Sequence, residues 1–436
     1  MLNETASSIE DRPALRSSVR YTPEDAQHSE LREMVMSVLS IERETFEDEN
    51  KLSKENLMLV GPDSRLLATF EGKLLLDSET AYDQLDHLLS PANQVPLFRE
   101  IKGKHVVYVV AGRVHPKPRP WWPNAVLFIA TVLSVLLVGT EMAIDEIANG
   151  SAAVAQPYID NLVLNLWRGL PYTIAILLIL GSHELGHYFA ARHHKLAVTL
   201  PYFIPAPFIS LIGTFGAFIQ LREPMRNRKV LLDVGAAGPL TGLIFAIPIL
   251  LIGLATSSVG PLQVGGMVEG NSLLYALAKM LVFGRFLPNG SVDVYVNQLA
   301  WAGWTGLLVT ALNLIPIGQL DGGHLLYSLI GERARILFYP LIAGMVILVL
   351  MGNDAWLFWL ILLFLFGRVY AAPLDMITPM DRRRKIIAVI GLIAFVVTFV
   401  PIPFSTVTEA PSVLPGNAVW LPVTMMALYT FWRRRA

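Results

Sequence analysis

Two short stretches of this 436-residue chain carry side chains whose types and spacing could do chemistry. The first runs Gly181-Ser182-His183-Glu184-Leu185-Gly186-His187. On a helix, residues four apart share a face, so His183 and His187 can grip one metal ion. Glu184 sits beside them and can take a proton from water bound to that metal. The second stretch runs from Asn313 through Pro316 to Leu320-Asp321-Gly322-Gly323-His324. A catalytic zinc usually takes three protein ligands and keeps a fourth position open. Asp321 is the best third ligand available. Pro316 breaks a helix and Gly322-Gly323 let the backbone bend, so the carboxylate can be aimed inward. The expected cofactor is one zinc ion per chain. Cysteine is absent, which removes disulfides, thiolate nucleophiles and cysteine-based zinc sites.

The elements that must hold these residues are membrane helices. Hydrophobic residues make up 53% of the chain and charged ones only 16%, against about 25% charge in soluble proteins. The fold class this predicts is an all-α polytopic membrane protein. Windows of suitable length lie at 123–140, 169–191, 234–257, 297–317, 336–353, 355–372, 386–403 and 418–432, which makes about eight spans. Arg368 must snorkel to the surface at the end of the sixth. The window 196–221 is also uncharged, but Pro201, Pro205, Pro207, Gly213 and Gly216 make it a re-entrant, β-like hairpin rather than a span. With the N-terminus in the cytosol, 21 basic residues fall on cytosolic flanks and three (Arg168, Lys279 and Arg285) on the other side. By the positive-inside rule this sets both termini in the cytosol and both motifs near the cytosolic face.

Four regions follow. Residues 1–25 are polar and read as disordered. Residues 26–115 read as a small soluble α+β domain: helices at 27–45 and 79–89, strands at 56–61, 65–76 and 104–114. Residues 1–118 hold 20 of the 35 acidic and 14 of the 34 basic residues, a net charge of −6. Residues 116–122 form a stiff linker, with Trp121-Trp122 at the membrane interface. Residues 123–436 form the membrane-embedded part, with its motif core at 165–335. A net charge of −1 over the chain leaves no global basic field for nucleic acid, so the expected surroundings are the lipid bilayer. No apolar run stands behind a basic head at the N-terminus, so no cleavable signal peptide is expected. The acidic residues among 1–25 argue against organelle import and favour a bacterial plasma membrane.

Together the two motifs resemble the site-2 protease family of intramembrane zinc metalloproteases, over roughly residues 165–335. The run from Phe98 to Gly139 is similar to the branch found in chloroplasts and photosynthetic bacteria. The resemblance implies a metalloendopeptidase that cleaves peptide bonds inside membrane-spanning protein substrates. It implies metal ligation by His183, His187 and Asp321, with Glu184 as general base. It suggests that Asn313 holds the substrate or polarises its carbonyl. It also supports an extended substrate pairing with the edge of the hairpin around Gly213–Ile219. Two other functions remain open on the residues alone: a metal-ion transporter using the same ligands, and a catalytically inactive scaffold. Asp233 reads as a paired or solvated residue, and His193 and His194 as interfacial. His324 reads as a polar residue at a helix start. The Gly235, Gly238 and Gly242 run reads as a surface for close helix packing.

Overall fold

The computed structural model describes residues 23–46, 60, 64–149, 151–262, 266–289, 292–352 and 355–407. The first elements are helix α1 (Pro23–Met36) and strand β1 (Leu39–Phe46), where the spacing predicts one helix over 27–45. From Leu39 onward the apolar residues alternate, and β1 pairs antiparallel with β2 (Arg65–Leu74), Leu39 against Leu74. Helix α2 (Ser78–Leu89) follows, capped by the Asp77 carboxylate on the Thr80 amide. Strands β3 (Gln94–Ile101) and β4 (Lys104–Ala111) complete a sheet of order β1-β2-β4-β3. Strand β3 is hidden in the sequence because Pro96 interrupts its pattern; proline is tolerated there because β3 is an edge. The strand expected at 56–61 falls mainly outside the described residues. A core of Leu31, Val35, Phe70, Leu85 and Val107 holds helices and sheet together.

The edge of β3 is not left open. Phe98 donates its amide to Leu374 O (2.9 Å) and accepts at its own carbonyl from Met376 (3.0 Å). On its other side this segment bonds the backbone just before the third long helix, with Leu374 N to Met225 O (2.9 Å) and Asp375 N to Arg226 O (2.7 Å). The sheet therefore continues into the part of the molecule that carries the long apolar helices. Asp375 is buried between them, accepting from Ser78, Thr378 and the Ile377 amide. Burial raises its carboxyl above the ordinary value, and these donors oppose the rise.

Among the described residues, four helical segments are long and apolar enough to cross a membrane: Trp122–Ala148, Leu162–His193, Arg228–Ala255 and Asp321–Leu350. The regular parts are α3 (Trp122–Ala148), α4 (Leu170–His193), α5 (Arg228–Ala255), α8 (Asp321–Ile330) and α9 (Phe338–Leu350). Four of the eight expected spans therefore have the full length. Window 297–317 is helix α7 (Gln298–Asn313), only 16 residues. Windows 355–372 and 386–403 are α10 (Ala355–Phe366) and α11 (Arg382–Thr398), of 12 and 17 residues. At about 1.5 Å rise per residue, these fall short of a hydrocarbon core of about 30 Å. Window 418–432 lies outside the described residues. The four-stranded sheet belongs to the expected α+β region, and the described residues add two-stranded sheets beyond it and the expected hairpin.

Between α4 and α5 the chain makes the expected hairpin, β5 (Tyr202–Pro205) against β6 (Thr214–Phe218). Two further strand pairs, β7 (Ser258–Pro261) with β9 (Val292–Tyr295) and β8 (Met267–Glu269) with β10 (Phe404–Thr406), lie beside α6 (Leu273–Phe283). Lys279 on α6 is fully buried there, 3.2 Å from Glu269 and 3.1 Å from Asp293.

Candidate metal centre

Helix α4 carries the first motif. His183, Glu184 and His187 are all buried, although the helix is long and largely apolar. Small residues let α5 approach them closely. A Cβ at Gly238 would lie 2.1 Å from His187 Nε2, and one at Gly242 would lie 3.3 Å from His183 Cβ. The glycine run is thus a packing surface, as its spacing suggests: Gly238 and Gly242 pack against the two imidazoles and Gly235 against His324. Its neighbour Val234 accepts a hydrogen bond from His187 Nδ1 (2.7 Å). That bond puts the ring proton on Nδ1 and turns the Nε2 lone pair inward.

Helix α7 ends at Asn313, and a turn over 314–320 leads to Asp321, the first residue of α8. The turn folds back so tightly that a Cβ at Gly322 would sit 1.9 Å from Leu314 O, and one at Gly323 2.3 Å from Gly318 O. The two glycines that the sequence offers as a bend are required by this close approach. The bend carries the Asp321 carboxylate to the imidazoles, although the two motifs are more than 120 residues apart.

Three ligand-type atoms converge. His183 Nε2 and His187 Nε2 are 3.2 Å apart, and each lies 3.3 Å from Asp321 Oδ2. Zinc bonds of about 2.0–2.2 Å in tetrahedral geometry separate neighbouring ligand atoms by about 3.3–3.6 Å. The triangle matches one face of such a tetrahedron closely. Its chemistry, two neutral imidazoles and a carboxylate, is a known catalytic zinc donor set. Among the described residues this is the group of three that could hold a metal ion. Glu184 Oε1 stands 4.0 Å from His183 Nε2, and Asn313 Nδ2 stands 3.4 Å from the same nitrogen. All five side chains line one cavity of about 460 Å³, together with His324 and residues 217–221 of the hairpin.

One supporting network is not legible in the sequence. Arg384 on α11 grips Asp233 with both ends of its guanidinium (2.6 and 2.8 Å), and His194 reaches the same carboxylate at 2.9 Å. Asp233 precedes Val234, whose carbonyl orients His187, so three helices are pinned beside the centre. The Asp233 pairing is expected in kind, but its partners come from 39 and 151 residues away. His193 and His194 do not join the ligand triangle.

A buried His-Glu-x-x-His helix is thus completed by a distant aspartate and set among membrane-length helices. Residues 171–351 match peptidase family M50. It is 29% identical over 347 residues to the probable zinc metalloprotease EGY2, chloroplastic, of Oryza sativa subsp. indica, covering 77% of this chain and 61% of that protein. To the Arabidopsis thaliana protein of the same name it is 32% identical over 250 residues, covering 56% and 44%. To the A. thaliana probable zinc metalloprotease EGY1, chloroplastic, it is 29% identical over 303 residues, covering 66% and 55%. The chain thus spans less than two thirds of the length of these relatives. No solved structure matches it. The chloroplastic names conflict with the bacterial plasma membrane expected from residues 1–25. That expectation is dropped, and a membrane protein is what stands.

Proposed function

We propose that this chain is an intramembrane zinc metalloendopeptidase, with one zinc held by His183, His187 and Asp321. The observation that carries the reading is the triangle of three ligand atoms 3.2–3.3 Å apart with a carboxylate 4.0 Å from one corner. Zinc bound there would polarise a scissile carbonyl and acidify water. Glu184, buried in an apolar helix, takes the proton of the attacking water and returns it to the leaving nitrogen. Asn313 donates its amide to the substrate carbonyl as negative charge develops on the oxygen.

The substrate binds extended. On the hairpin, Thr199 N donates to Gln220 O (3.1 Å) and Arg222 N to Ala197 O (2.9 Å). Alternation along the strand then turns the backbone groups of Ile219 and Leu221 to the opposite edge, which borders the cavity. A substrate segment unwound from its helix pairs with this edge, recovering the hydrogen bonds it lost. The substrates are membrane-spanning proteins. Helices α7, α10 and α11 also cross the bilayer in this reading, each alternating in direction. The sheet of β1 to β4 then lies on the same side as the motifs, as a soluble domain over residues 26–115 that follows the polar residues 1–25. Residues 116–122 link it to a membrane part over 123–436. With eight spans, both termini lie on the motif side.

Reconstitution of the chain with a membrane-spanning substrate tests the proposal. Glu184→Gln is expected to abolish cleavage while the protein keeps its zinc. Undiminished cleavage by that variant would refute the mechanism.

A further inference from the structure

Arg368 follows the last turn of α10, at the motif-side boundary in the span reading proposed above. Its guanidinium carbon lies 5.1 Å from the centre of the Phe338 ring, 5.3 Å from Phe364 and 6.0 Å from Tyr339. Phe338 and Tyr339 open α9, and Phe364 closes α10, so two neighbouring helices build one aromatic seat. Rings around a guanidinium hold it by cation–π attraction and leave its N–H fork free. Arg368 is exposed, and no carboxylate among the described residues pairs with it. Arg333, Arg382 and Arg383 are also exposed, so the local sequence adds positive charge rather than cancelling it. A fixed cation at a membrane boundary without a protein partner calls for an anion from its surroundings.

A second feature points to the kind of anion. Leu365, Ile361 and Phe358 are 62%, 54% and 63% exposed and lie at helical spacing along one stripe of α10. The stripe runs from beside Arg368 into the bilayer for about 10 Å. An apolar track below a guanidinium suits an acyl chain below a phosphate. We propose that Arg368 and this stripe form a specific site for one anionic phospholipid, whose phosphate is taken by the guanidinium fork.

The site reaches the metal centre through backbone contact. A Cβ on Gly318 would come within 2.7 Å of Gly367 Cα, and Gly318 sits in the turn that delivers Asp321. Ala371 and Ala372, just beyond Arg368, line the catalytic cavity. A bound lipid therefore braces the turn that carries the third metal ligand. The lipid proposal does not depend on the peptidase reading, because its test reads binding alone.

Native mass spectrometry of the full chain in uncharged micelles, titrated with phosphatidylglycerol or phosphatidylcholine, tests it. Wild type is expected to retain one phosphatidylglycerol per chain and about tenfold less phosphatidylcholine. Arg368→Gln is expected to lower phosphatidylglycerol retention about tenfold, with Arg368→Lys in between because it keeps the charge but loses the fork. Arg285→Gln, on the far side, should change nothing. Thermal unfolding without lipid checks that the variants fold; if Arg368→Gln does not, the lysine variant decides. Wild-type retention of phosphatidylglycerol by the folded variant, or equal retention of phosphatidylcholine by the wild type, overturns the proposal. Displacement of the lipid by millimolar inorganic phosphate would make the site a simple anion site and overturn it as well.

Discussion

Two buried clusters of charged side chains among the described residues are built oppositely. In one, Lys279 lies 3.2 Å from Glu269 and 3.1 Å from Asp293, so the cation is a side chain shared by both carboxylates. Tyr275 donates to Glu269 at 2.7 Å and supplies a further donor. In the other, two imidazole nitrogens and a carboxylate oxygen meet at 3.2–3.3 Å with no lysine or arginine among them. Buried acceptor atoms that converge without a resident cation are costly unless one is supplied. The first cluster is a closed structural ion network. The second is a group that could receive a metal. Burial of charge is common to both and does not reveal function; the identity of the central cation does.

The largest effect that would break this comparison comes from the second cluster. Asp321→Ala and His183→Ala are each expected to lower zinc from about one per chain to near zero and activity by about 10³-fold or more. Glu184→Gln should match them in activity loss, within the range of about 10²–10⁴-fold for a lost general base, yet keep the metal. If Glu184→Gln also lost its zinc, the separation between ligand and base would fail.

The first cluster should answer in the opposite way. Lys279→Met strands two buried carboxylates and is expected to cost about 3–5 kcal/mol of stability. The variant that still folds should hold zinc as the wild type does, read by denaturant unfolding beside metal analysis. A smaller effect tests the support of the centre. Asp233→Asn weakens the grip of Arg384 and His194, and zinc affinity is expected to fall about 10–100-fold, as for other partners behind metal ligands. A competition titration with a chelator measures it, and an unchanged affinity would show the network to be structural only.

The smallest effect concerns Asp375, where the sheet meets the helices. Its carboxyl is raised by burial, so its protonated form is favoured in the folded state. The stability it contributes is fully present below the ordinary carboxylate value and lost as pH rises through the raised one. Relative to Asp375→Asn, wild type should therefore lose stability over that rise, the smallest of these effects. Melting temperatures of the two proteins across that pH range measure it. A constant difference between them would remove Asp375 as a titrating contact.

How much is legible in advance follows from sequence distance. His183, Glu184 and His187 can be read because their relation is local and set by helical periodicity. Asp321 can be chosen because proline and two glycines mark the bend that turns it inward, and because charge bias puts both motifs on one side. The hairpin is legible from its prolines and glycines. The pairings of Asp233 with Arg384, Lys279 with Asp293, and Phe98 with Leu374 are not. Each joins elements whose meeting depends on the packed fold, and nothing periodic announces them. In the sequence, Lys279 reads simply as a basic residue on the far side. The span count is only partly legible for a related reason: hydropathy marks apolar windows, but it does not show where a short helix ends.

The most direct test of the account is metal analysis of the purified full chain, with wild type, Asp321→Ala and Lys279→Met measured together. Wild type and folded Lys279→Met are expected to hold about one zinc per chain, and Asp321→Ala almost none. Full zinc in Asp321→Ala, or none in wild type, would contradict the three-ligand centre on which the rest depends.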